Sequence, residues 1–489
     1  MSSNQSVAGT KVRKRRCAVL KSFSISKAYT DPMFFKTFRE NFFDRRPFPH
    51  YLFQNFIENS SGVVEDLELE LQEFPNWKRK ENDLYSLYQT NDFKSFKTFQ
   101  YPELYSFRQF LSQEVKVFLQ NITEVELIEE IDVNGSCYSE FDGLLPHNDL
   151  IETRKFAFVY YLSPYVWKKE YGGQLILFNS DNEELPVTEA KEIYPARNAL
   201  MIFEVSNKSW HAVKEIMTKS YPRLSINGWF HSLKPQHKAV SNSTTNLISF
   251  HNPLKKGVPQ FDVFLNDWCK NDACISNVQE KFADTSECCI AQFLKANHLN
   301  LHLSGEYFPI FKMQCHNEML NILRCSEFEE VGPLNKCKIY ENLTRNRNSS
   351  LSQFLNSFRT TEALKFISRL TGCMMKDCKI STSVYKILKG CYTVVGDDDL
   401  LQFQHKDYAL ETYLFLGEGQ WSKDFGGRIS YIGNDDEEEL VTFYPQSNSF
   451  TMVLRDSGAA SFLKYINSSC CIEVYMICIR YHNVKIEND

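Results

Sequence analysis

The chain has 489 residues, of which 43% are hydrophobic and 24% are charged, so it is long enough for two or three packed domains and too apolar to be disordered throughout. Its formal net charge is −6, but residues 1–30 contain seven Lys and Arg residues and no acid, so the remaining chain carries −13. An acidic body of this kind disfavours broad nucleic-acid binding and favours a basic protein partner.

The cysteines and the hydropathy pattern indicate a cellular location. The 15 cysteines are an odd number and include no C-x-x-C pair, which argues against a zinc site and favours free thiols in a reducing compartment. No apolar run approaches the roughly 18 residues that cross a bilayer, and the N-terminus has no apolar signal core. We therefore expect no membrane association and a location in the nucleus and cytoplasm.

Residues 1–30 are predicted to form a basic, disordered tail. The basic block at residues 11–16 is typical of a nuclear-import signal or of a nonspecific contact with a polyanion. A tail that only improves solubility would have the same composition, so both interpretations stay open. Direct nucleic-acid binding is expected, if anywhere, only through this tail.

A first domain is predicted at residues 31–235. Residues 107–119 have apolar positions at helical spacing and predict a helix. From residue 131 to residue 231 the sequence contains short runs rich in β-branched and aromatic residues, which predict the strands of a β-sandwich or barrel. The predicted strands are residues 155–162, 174–178, 198–205 and 223–230.

A second domain is predicted at residues 261–489, after a polar, irregular linker at residues 236–260. It is expected to begin with a helical stretch at residues 261–297 and to continue irregularly to about residue 350. Strand-like sequence returns from about residue 385 and runs to the end of the chain.

The second domain repeats the motifs of the first. Each copy contains, in the same order, a Cys-Tyr pair, a His-x-Asp pair, a Trp, a Gly-Gly pair and a Tyr-Pro-x-x-Asn motif. The interval from the Trp to the Gly-Gly pair is identical in the two copies, which predicts two copies of one β-fold. The motifs lie at residues 137–138, 147–149, 167, 172–173 and 194–198 in the first copy and at 391–392, 405–407, 421, 426–427 and 444–448 in the second.

His147 and Asp149 form the first candidate chemical motif. Residues i and i+2 of a strand point to the same face, so this imidazole and this carboxylate could bind one ion together. His211, 62 residues later, is the candidate third ligand. Two His and one carboxylate leave other metal positions open, as in the non-haem Fe(II) oxygenases, where cosubstrate and O2 both reach the iron. By itself H-x-D is a weak motif that also occurs by chance in loops.

Arg223 makes the motif more specific. The segment that begins at Arg223 alternates, so Arg223, Ser225 and Trp229 face the same side of a strand. An Arg on an inward strand face is costly unless it is paired. A dicarboxylate ligand would supply that pairing, with Arg223 as a two-pronged donor and the Ser225 hydroxyl adding a bond. An exposed Arg on an edge strand is the alternative.

These residues support a resemblance to a known family. H-x-D, a distal His and R-x-S on the next strand resemble the 2-oxoglutarate/Fe(II) dioxygenases, particularly the prolyl hydroxylases. The segments LLPHND, FVYYLSP, WHAV and RLSINGWFH are similar to those of the ribosomal prolyl 3-hydroxylases. The resemblance covers nearly the whole chain. It implies an α+β, mainly β, fold class with two tandem double-stranded β-helix (jelly-roll) domains and buttressing helices, of which the second domain is non-catalytic.

The resemblance also implies Fe(II) as cofactor, 2-oxoglutarate and O2 as cosubstrates, and ascorbate as an optional reductant. The positions that match the family's iron ligands are His147, Asp149 and His211, and Arg223 joins them as a catalytic residue. The positions that match its 2-oxoglutarate-binding residues are Arg223, Ser225, Tyr138, Tyr161 and Trp229. The two tyrosines could instead pack the barrel, and the Trp could belong to the core.

The second copy is predicted to be degenerate. His405 and Asp407 preserve the first two ligand types, but no His lies near Lys464-Tyr465, where the third ligand is expected. Val474 stands opposite Arg223 when the two C-terminal strands are aligned. We expect His405 and Asp407 to make local hydrogen bonds, with a residual weak metal site as the alternative.

The predicted function is hydroxylation of a prolyl residue, at C3 by resemblance, in the decoding-centre protein of the small ribosomal subunit, with an effect on translation accuracy or termination. The expected partners are this ribosomal protein and ribosome or translation-termination complexes. Two alternatives stay open: an oxygenase of the same class acting on another protein, and a noncatalytic scaffold for ribosome or RNA complexes. Asp149 argues against a halogenase, whose chloride would take the place of the carboxylate.

Overall fold

The computed structural model describes residues 22–163, 166–233, 249–254, 261–295, 315–343, 349–395, 408–433 and 439–486. The block at 11–16 and most of the predicted linker lie outside these ranges. The predicted tail is too long, because Phe23 is buried against the rings of Phe107 and Phe110. Among the described residues, no helix has the length and apolar character needed to span a membrane.

Helices occur in both halves of the chain, packed against sheets. In the described ranges they are α1 (Pro32–Phe42), α2 (Val63–Gln72), α3 (Pro102–Phe110), α4 (Lys116–Thr123), α5 (Asp272–Thr285), α6 (Cys315–Arg324), α7 (Ser350–Ser357) and α8 (Thr361–Thr371). The helix expected at residues 107–119 is confirmed, since α3 and α4 are joined by a π-helical turn at Leu111–Val115.

The first half contains one antiparallel sheet of eleven strands. The strands are β1 (His50–Phe53), β2 (Lys78–Glu81), β3 (Tyr85–Gln89), β4 (Ile131–Tyr138), β5 (Gly143–His147), β6 (Arg154–Tyr161), β7 (Leu175–Ser180), β8 (Pro186–Ile193), β9 (Ala199–Glu204), β10 (His211–Val213) and β11 (Arg223–His231). Their order is β1-β9-β6-β11-β4-β3-β5-β10-β7-β8, with β2 paired to β3. Because β3 pairs with both β4 and β5, the sheet turns over at β3 and brings β5, β10 and β7 across from β6 and β11.

The described residues of the second half form an eight-stranded sheet, a three-stranded sheet and a two-stranded ribbon. The strands are β12 (Glu287–Ala291), β13 (Glu329–Val331), β14 (Cys337–Glu341), β15 (Cys373–Met374), β16 (Lys379–Ile387), β17 (Tyr392–Thr393), β18 (Ala409–Gly417), β19 (Ile429–Ile432), β20 (Val441–Phe443), β21 (Ser449–Arg455), β22 (Ala460–Leu463), β23 (Val474–His482) and β24 (Lys485–Ile486). The large sheet has the order β12-β21-β18-β23-β16-β14-β13, with β17 paired to β14, and the small one the order β20-β19-β22.

Two apolar clusters lie on opposite faces of the first sheet. The outward face of β11, including Leu224, Ile226 and Phe230, packs against the helices α1–α4. The inward cluster lies inside the curl of the sheet and includes Tyr138 and Tyr161. The strict alternation predicted for β11 is therefore confirmed, since its odd-numbered positions from Arg223 to Trp229 face the interior of the curl. The predicted mainly β class is confirmed as well.

The predictions for residues 261–350 were partly wrong. The stretch 261–297 was expected to be helical, but in its described part, residues 261–295, only α5 and two short 3-10 turns are helical, and β12 follows. Cys288 and Ile290 are buried, alternate with more exposed residues and pair with β21. This strand was not predicted, because the segment was interpreted as helical. The stretch expected to be irregular contains α6, β13 and β14, and α7 and α8 come before the predicted return of strands.

The repeated Trp and Gly-Gly motifs make the same contact in both halves. The indole Nε1 of Trp167 donates a hydrogen bond to the carbonyl oxygen of Gly172 at 2.8 Å. Trp421 donates in the same way to Gly426 at 3.0 Å. All four glycines of the two pairs have positive φ, so the equal spacing of Trp and glycine reflects one shared turn.

The Asn of the Tyr-Pro-x-x-Asn motif is also structural. Asn198 has φ +57° and bonds the backbone of Ile57 through both of its side-chain atoms, at 2.9 and 2.8 Å. Asn448 has φ +54° and bonds the backbone of Leu294 in the same manner, at 2.9 and 3.0 Å. Asn tolerates the left-handed region better than most residues, and its amide satisfies a buried backbone donor and acceptor. The motif thus ties a preceding segment to the sheet in each half.

Candidate active site

His147 and His211 come together on neighbouring strands. They are directly opposite each other in the antiparallel pair of β5 and β10, and their ring centroids are 4.1 Å apart. Nδ1 of His147 donates to the carbonyl of Leu145 at 2.9 Å, and Nδ1 of His211 donates to that of Ser209 at 2.8 Å. These bonds leave both Nε2 lone pairs free for a metal ion, which is the usual way in which ligand imidazoles are oriented.

Asp149 completes the cluster, but not from the position that the sequence suggested. It was expected on the same strand as His147, yet β5 ends at His147 and Asp149 lies in the following turn with φ +60°. Asp tolerates this conformation, and the turn directs its carboxylate at both imidazoles. Its oxygens lie 3.5 Å from Nε2 of His147 and 3.4 Å from Nε2 of His211.

The three side chains are close enough together to hold one metal ion. One ligand atom from each of them lies within 4.8 Å of the others. Burial lowers the pKa of His147 to about 4, so its imidazole is neutral near pH 7. Burial would raise the pKa of Asp149, but the two histidines lower it well below the ordinary range, so the carboxylate is ionised. Neutral imidazole and ionised carboxylate are the forms that bind a metal.

Arg223 is buried in the same interior without an acidic partner. Its side chain is 1% exposed, and no carboxylate of the described residues lies within 4 Å of its guanidinium group. Nε donates to the carbonyl of Gly173 at 2.9 Å, and the guanidinium carbon lies 5.0 Å and 5.2 Å from the ring centroids of Tyr138 and Tyr161. A buried cation held only by neutral groups is costly, so the site favours an anionic ligand.

The two tyrosines add donors to this pocket. The Tyr161 hydroxyl is buried and has no hydrogen-bond partner of normal geometry in the described part of the chain. Burial raises the pKa of Tyr138 to about 12 and also raises that of Tyr161, so both phenols keep their protons. A carboxylate beside Arg223 would satisfy the Tyr161 hydroxyl together with the guanidinium group.

Ser225 orients the arginine through a chain of hydrogen bonds. Its hydroxyl donates to Oδ1 of Asn227 at 2.7 Å, and Nδ2 of Asn227 donates to the hydroxyl of Ser136 at 2.6 Å. With its proton committed, the Ser225 oxygen accepts from Nη1 of Arg223 at 3.4 Å. Asn227 and Ser136 were not singled out from the sequence, although Asn227 belongs to the same alternating face of β11.

Comparisons with known proteins agree with this geometry. Residues 133–231 match the model of the 2OG-Fe(II) oxygenase superfamily. Residues 261–489 match the model described as oxoglutarate and iron-dependent oxygenase degradation C-term. Residues 133–231, which contain the two histidines, the aspartate and Arg223, are thus similar to a 2OG-Fe(II) oxygenase domain. The cofactor of the chain is therefore Fe(II), with 2-oxoglutarate and O2 as cosubstrates.

Two relatives of this oxygenase extend over most of its length. Prolyl 3-hydroxylase OGFOD1 of Xenopus laevis is 29% identical over 87% of this chain and 84% of its own. Prolyl 3-hydroxylase sudestada1 of Drosophila melanogaster is 28% identical over 89% of this chain and 83% of its own. Among solved structures, a prolyl-4-hydroxylase of Pseudomonas putida matches 38% of this chain and 93% of its own, with 17% identity and a TM-score of 0.32.

Arg154, which stacks on Trp229 of the oxygenase, was not identified from the sequence. The guanidinium carbon of Arg154 lies 3.6 Å from the centroid of the Trp229 ring, and Nε1 of Trp229 has no hydrogen-bond partner among the described residues. Arg154 is also close enough to Asp149 for the two charges to affect each other's pKa. No local pattern points to Arg154, because its partner Trp229 lies on another strand and is adjacent only through the pairing of β6 with β11.

Ser461 in the second half of the oxygenase occupies the position equivalent to His211. Leu175 pairs with Val213 two residues after His211, and Ile429 pairs with Leu463 two residues after Ser461. The expected location near Lys464-Tyr465 was therefore wrong by three to four residues. The interval from Asn198 to His211 equals that from Asn448 to Ser461, and this equality was the usable signal.

Val474 stands where the oxygenase needs an arginine, as the alignment of the sequence indicated. Ser225 pairs with Tyr161 in the first sheet, and Met476 pairs with Phe415 in the second. Tyr161 and Phe415 are equivalent because each carbonyl accepts a hydrogen bond from the backbone of the motif Asn, at 3.0 and 2.7 Å. Val474, two residues before Met476, is thus equivalent to Arg223. His405 and Asp407 lie outside the described residues.

The interior of the second half has instead a polar cluster that is satisfied internally. The carboxylate of Glu411 accepts from the hydroxyls of Tyr413 and Tyr431 at 2.9 and 2.8 Å and pairs with Nε of Arg455 at 3.1 Å. Tyr431 pairs with Ser461 as Leu177 pairs with His211. The polar groups of this cluster are paired with one another, in contrast to Arg223 in the first half.

Proposed function

We propose that this oxygenase hydroxylates a prolyl residue of a protein, at C3, using Fe(II) and 2-oxoglutarate. The observation that carries the proposal is the combination of His147, Asp149 and His211 with the buried, acid-free Arg223 inside one curled sheet. The C3 position is supported by two relatives named prolyl 3-hydroxylases that match over more than four fifths of their own lengths.

The residues present fit both the metal and the cosubstrate. His147, Asp149 and His211 would hold Fe(II) as a two-histidine, one-carboxylate set that leaves further positions open. Arg223 and the Tyr161 hydroxyl would hold the far carboxylate of 2-oxoglutarate. When bound, the iron and 2-oxoglutarate supply O2 activation, in which decarboxylation to succinate and CO2 leaves one oxygen atom for a C–H bond.

The protein's own part is binding, orientation and exclusion of water. The carbonyls of Leu145 and Ser209 keep the two imidazoles in the ligand tautomer and rotation. Apolar side chains of the inward cluster surround the buried Arg223, so its charge acts at low dielectric. Arg154 stacks on Trp229 near the metal ligands and would contact the substrate chain.

For the substrate we propose the decoding-centre protein of the small ribosomal subunit. Two features support it: the resemblance of the chain to ribosomal prolyl 3-hydroxylases and its acidic body, which suits a basic ribosomal protein. The proposal carries with it an effect on translation accuracy or termination and a location in the nucleus and cytoplasm. Another basic protein with an accessible proline is the alternative of the same class.

For the architecture we propose two tandem double-stranded β-helix domains, the first including Phe23 and extending to residue 235 and the second at residues 261–489, of which the second is non-catalytic. The shared Trp–Gly and Asn contacts support one fold in both halves. Ser461 and Val474 at the positions of His211 and Arg223 support the loss of catalysis in the second.

The test is incubation of the full chain with Fe(II), 2-oxoglutarate and prolyl peptides of the small-subunit protein, followed by mass spectrometry and NMR. We expect a gain of one oxygen atom, located on C3 of one proline, and none with His211→Ala. Hydroxylation at C4 would remove the regiochemical claim. The absence of any oxygen gain on prolyl peptides, with iron shown to be bound, would remove the substrate claim.

A further inference from the structure

Glu215 joins the two halves of the chain directly behind the active site. It follows β10 by two residues, and four contacts from the second half converge on its carboxylate. The backbone N–H of Ser468 donates to its two oxygens at 3.0 and 3.1 Å, the Ser468 hydroxyl donates at 2.7 Å, and the Tyr465 hydroxyl donates at 3.2 Å. Several donors on one carboxylate fix its position firmly.

The backbone of the same residue reaches the arginine of the pocket. The carbonyl of Glu215 accepts from the N–H of Gly173 at 3.1 Å, and the carbonyl of Gly173 accepts from Nε of Arg223 at 2.9 Å. The fit is close, because a Cβ on Gly172 would lie 1.9 Å from the Glu215 carbonyl oxygen. Two hydrogen bonds therefore separate the interface residue from the guanidinium group.

The metal ligands are held by other groups. His147 is oriented by the carbonyl of Leu145, and His211 by that of Ser209, so neither imidazole depends on a bond from Glu215. A substitution at Glu215 should therefore affect the position of Arg223 more than that of the metal ligands.

The contact also joins equivalent segments of the two halves. Glu215 and Tyr465 are equivalent residues of the two halves, since each provides the carbonyl that packs on the first glycine of its Gly-Gly pair. The second half thus meets the first through the segment that supports its Gly-Gly turn.

We propose that Glu215 is a positioning residue through which the second half sets the orientation of Arg223 and so the affinity for 2-oxoglutarate. The inference rests on the proposed function, in which Arg223 binds this cosubstrate. The non-catalytic half then contributes to the reaction by holding Glu215, which supports Gly173 and through it Arg223 in the cosubstrate pocket.

Other contacts keep the halves together when Glu215 is changed. Nζ of Lys464 donates to the carbonyls of Asn82 and Tyr85, and Nη1 of Arg428 pairs with Glu81 at 2.8 Å. These bonds lie on the β2–β3 hairpin and do not involve Glu215. Substitution at Glu215 should therefore leave the interface assembled, and its effect on Arg223 can be measured in the full chain.

The test is calorimetric titration of the full chain, first with Mn(II) and then with 2-oxoglutarate, with Mn(II) replacing iron to prevent turnover. We expect Glu215→Ala to weaken 2-oxoglutarate binding about tenfold, or about 1.4 kcal/mol, while Mn(II) binding is unchanged. Tyr465→Phe and Ser468→Ala, in the other half, should weaken it in the same direction. The control is Glu189→Ala, because Glu189 pairs with Lys214 on the same face, and it should bind both ligands as the unaltered chain does.

Unchanged 2-oxoglutarate affinity in Glu215→Ala, or in Tyr465→Phe should the first variant not fold, would overturn the proposal. Equal weakening of Mn(II) and 2-oxoglutarate would also overturn it, since that result indicates a general disturbance of the site. Failure of the unaltered chain to bind 2-oxoglutarate would overturn the proposed function itself, and the titration of that chain shows this separately.

Discussion

His211 and Ser461 occupy equivalent positions on β10 and β22, one in each half of the chain. Val213, two residues after His211, pairs with Leu175, which is the second residue after the first Gly-Gly pair. Leu463, two residues after Ser461, pairs in the same way with Ile429, the second residue after the second Gly-Gly pair. A hydroxyl is a much poorer ligand than an imidazole for a divalent transition metal. The difference between one His and one Ser therefore separates a complete ligand set from an incomplete one.

His147→Ala and His405→Ala form a matched pair of variants at the two His-x-Asp motifs. We expect His147→Ala to abolish turnover of 2-oxoglutarate, because it removes an iron ligand. His405→Ala should leave turnover nearly unchanged, because no imidazole stands at Ser461 to complete a second site. The measurement is succinate formation with equal protein and saturating iron. Loss of activity in a folded His405→Ala protein would show that the second motif takes part in catalysis.

Arg223→Ala should weaken 2-oxoglutarate binding by at least tenfold while metal binding changes little. Hydrogen bonds to charged groups contribute about 1.5–3 kcal/mol, and here the guanidinium group has no acid of the described residues to replace the cosubstrate. Arg223→Lys should recover only part of the affinity, since an ammonium group lacks the planar fork. Titrations with Mn(II) and with 2-oxoglutarate separate the two effects. Equal losses for both ligands would mean that the clamp lies elsewhere.

Metal should stabilise the folded protein through the three ligands. We expect saturating Mn(II) to raise the melting temperature of the unaltered chain, because a ligand that binds only the folded state shifts the unfolding equilibrium. His211→Ala should lose most of this rise, while Ser461→Ala should keep it. Thermal unfolding with and without metal gives the comparison, and an equal rise in His211→Ala would place the metal at another site.

Local sequence patterns predicted the first half well. The alternation from Arg223 to Trp229 follows from the two-residue period of a strand, and the structure has the same faces. The ligand set could be predicted because His211 and Arg223 follow the His147-x-Asp149 motif, whereas no equivalent residues follow the His-x-Asp motif at residues 405–407. What the patterns could not give is the turn of Asp149, whose φ of +60° depends on the end of β5.

The site residues that were not predicted depend on contacts between segments that are distant in the sequence. Arg154 is placed by the pairing of β6 with β11, and Glu215 by residues some 250 positions later. Neither contact leaves a periodic signal in the chain. The strand β12 was missed because five residues are too few to outweigh the helical pattern of α5 that comes before it.

Lys464 and its equivalent Lys214 should contribute to the pH dependence of stability with opposite signs. Burial lowers the pKa of Lys464 from 10.5 to about 8, since Glu81 and Asp83 offset only part of that cost. The unfolded chain therefore binds more protons between pH 8 and 10.5, and this residue makes the free energy of unfolding rise with pH there. For Lys214 burial is outweighed by bonds to Glu189 and Glu192, which raise its pKa, so its stabilisation is present below pH 10.5 and is lost above it.

Urea unfolding of the unaltered chain, Lys464→Met and Lys214→Met between pH 8 and 10 measures these slopes. We expect Lys464→Met to fall behind the unaltered chain as the pH rises. Lys214→Met should show no such loss relative to the unaltered chain. Identical pH slopes in the unaltered chain and Lys464→Met would contradict the assigned environment of Lys464.

The most direct test of a prolyl hydroxylase site at His147, Asp149, His211 and Arg223 follows isotopically labelled O2 into the products. One labelled oxygen atom should appear in the prolyl residue and one in succinate, with Arg223→Ala strongly reduced in both at low 2-oxoglutarate concentration. Formation of labelled succinate without label in any prolyl residue of the peptide, or a prolyl hydroxyl derived from water, would contradict it.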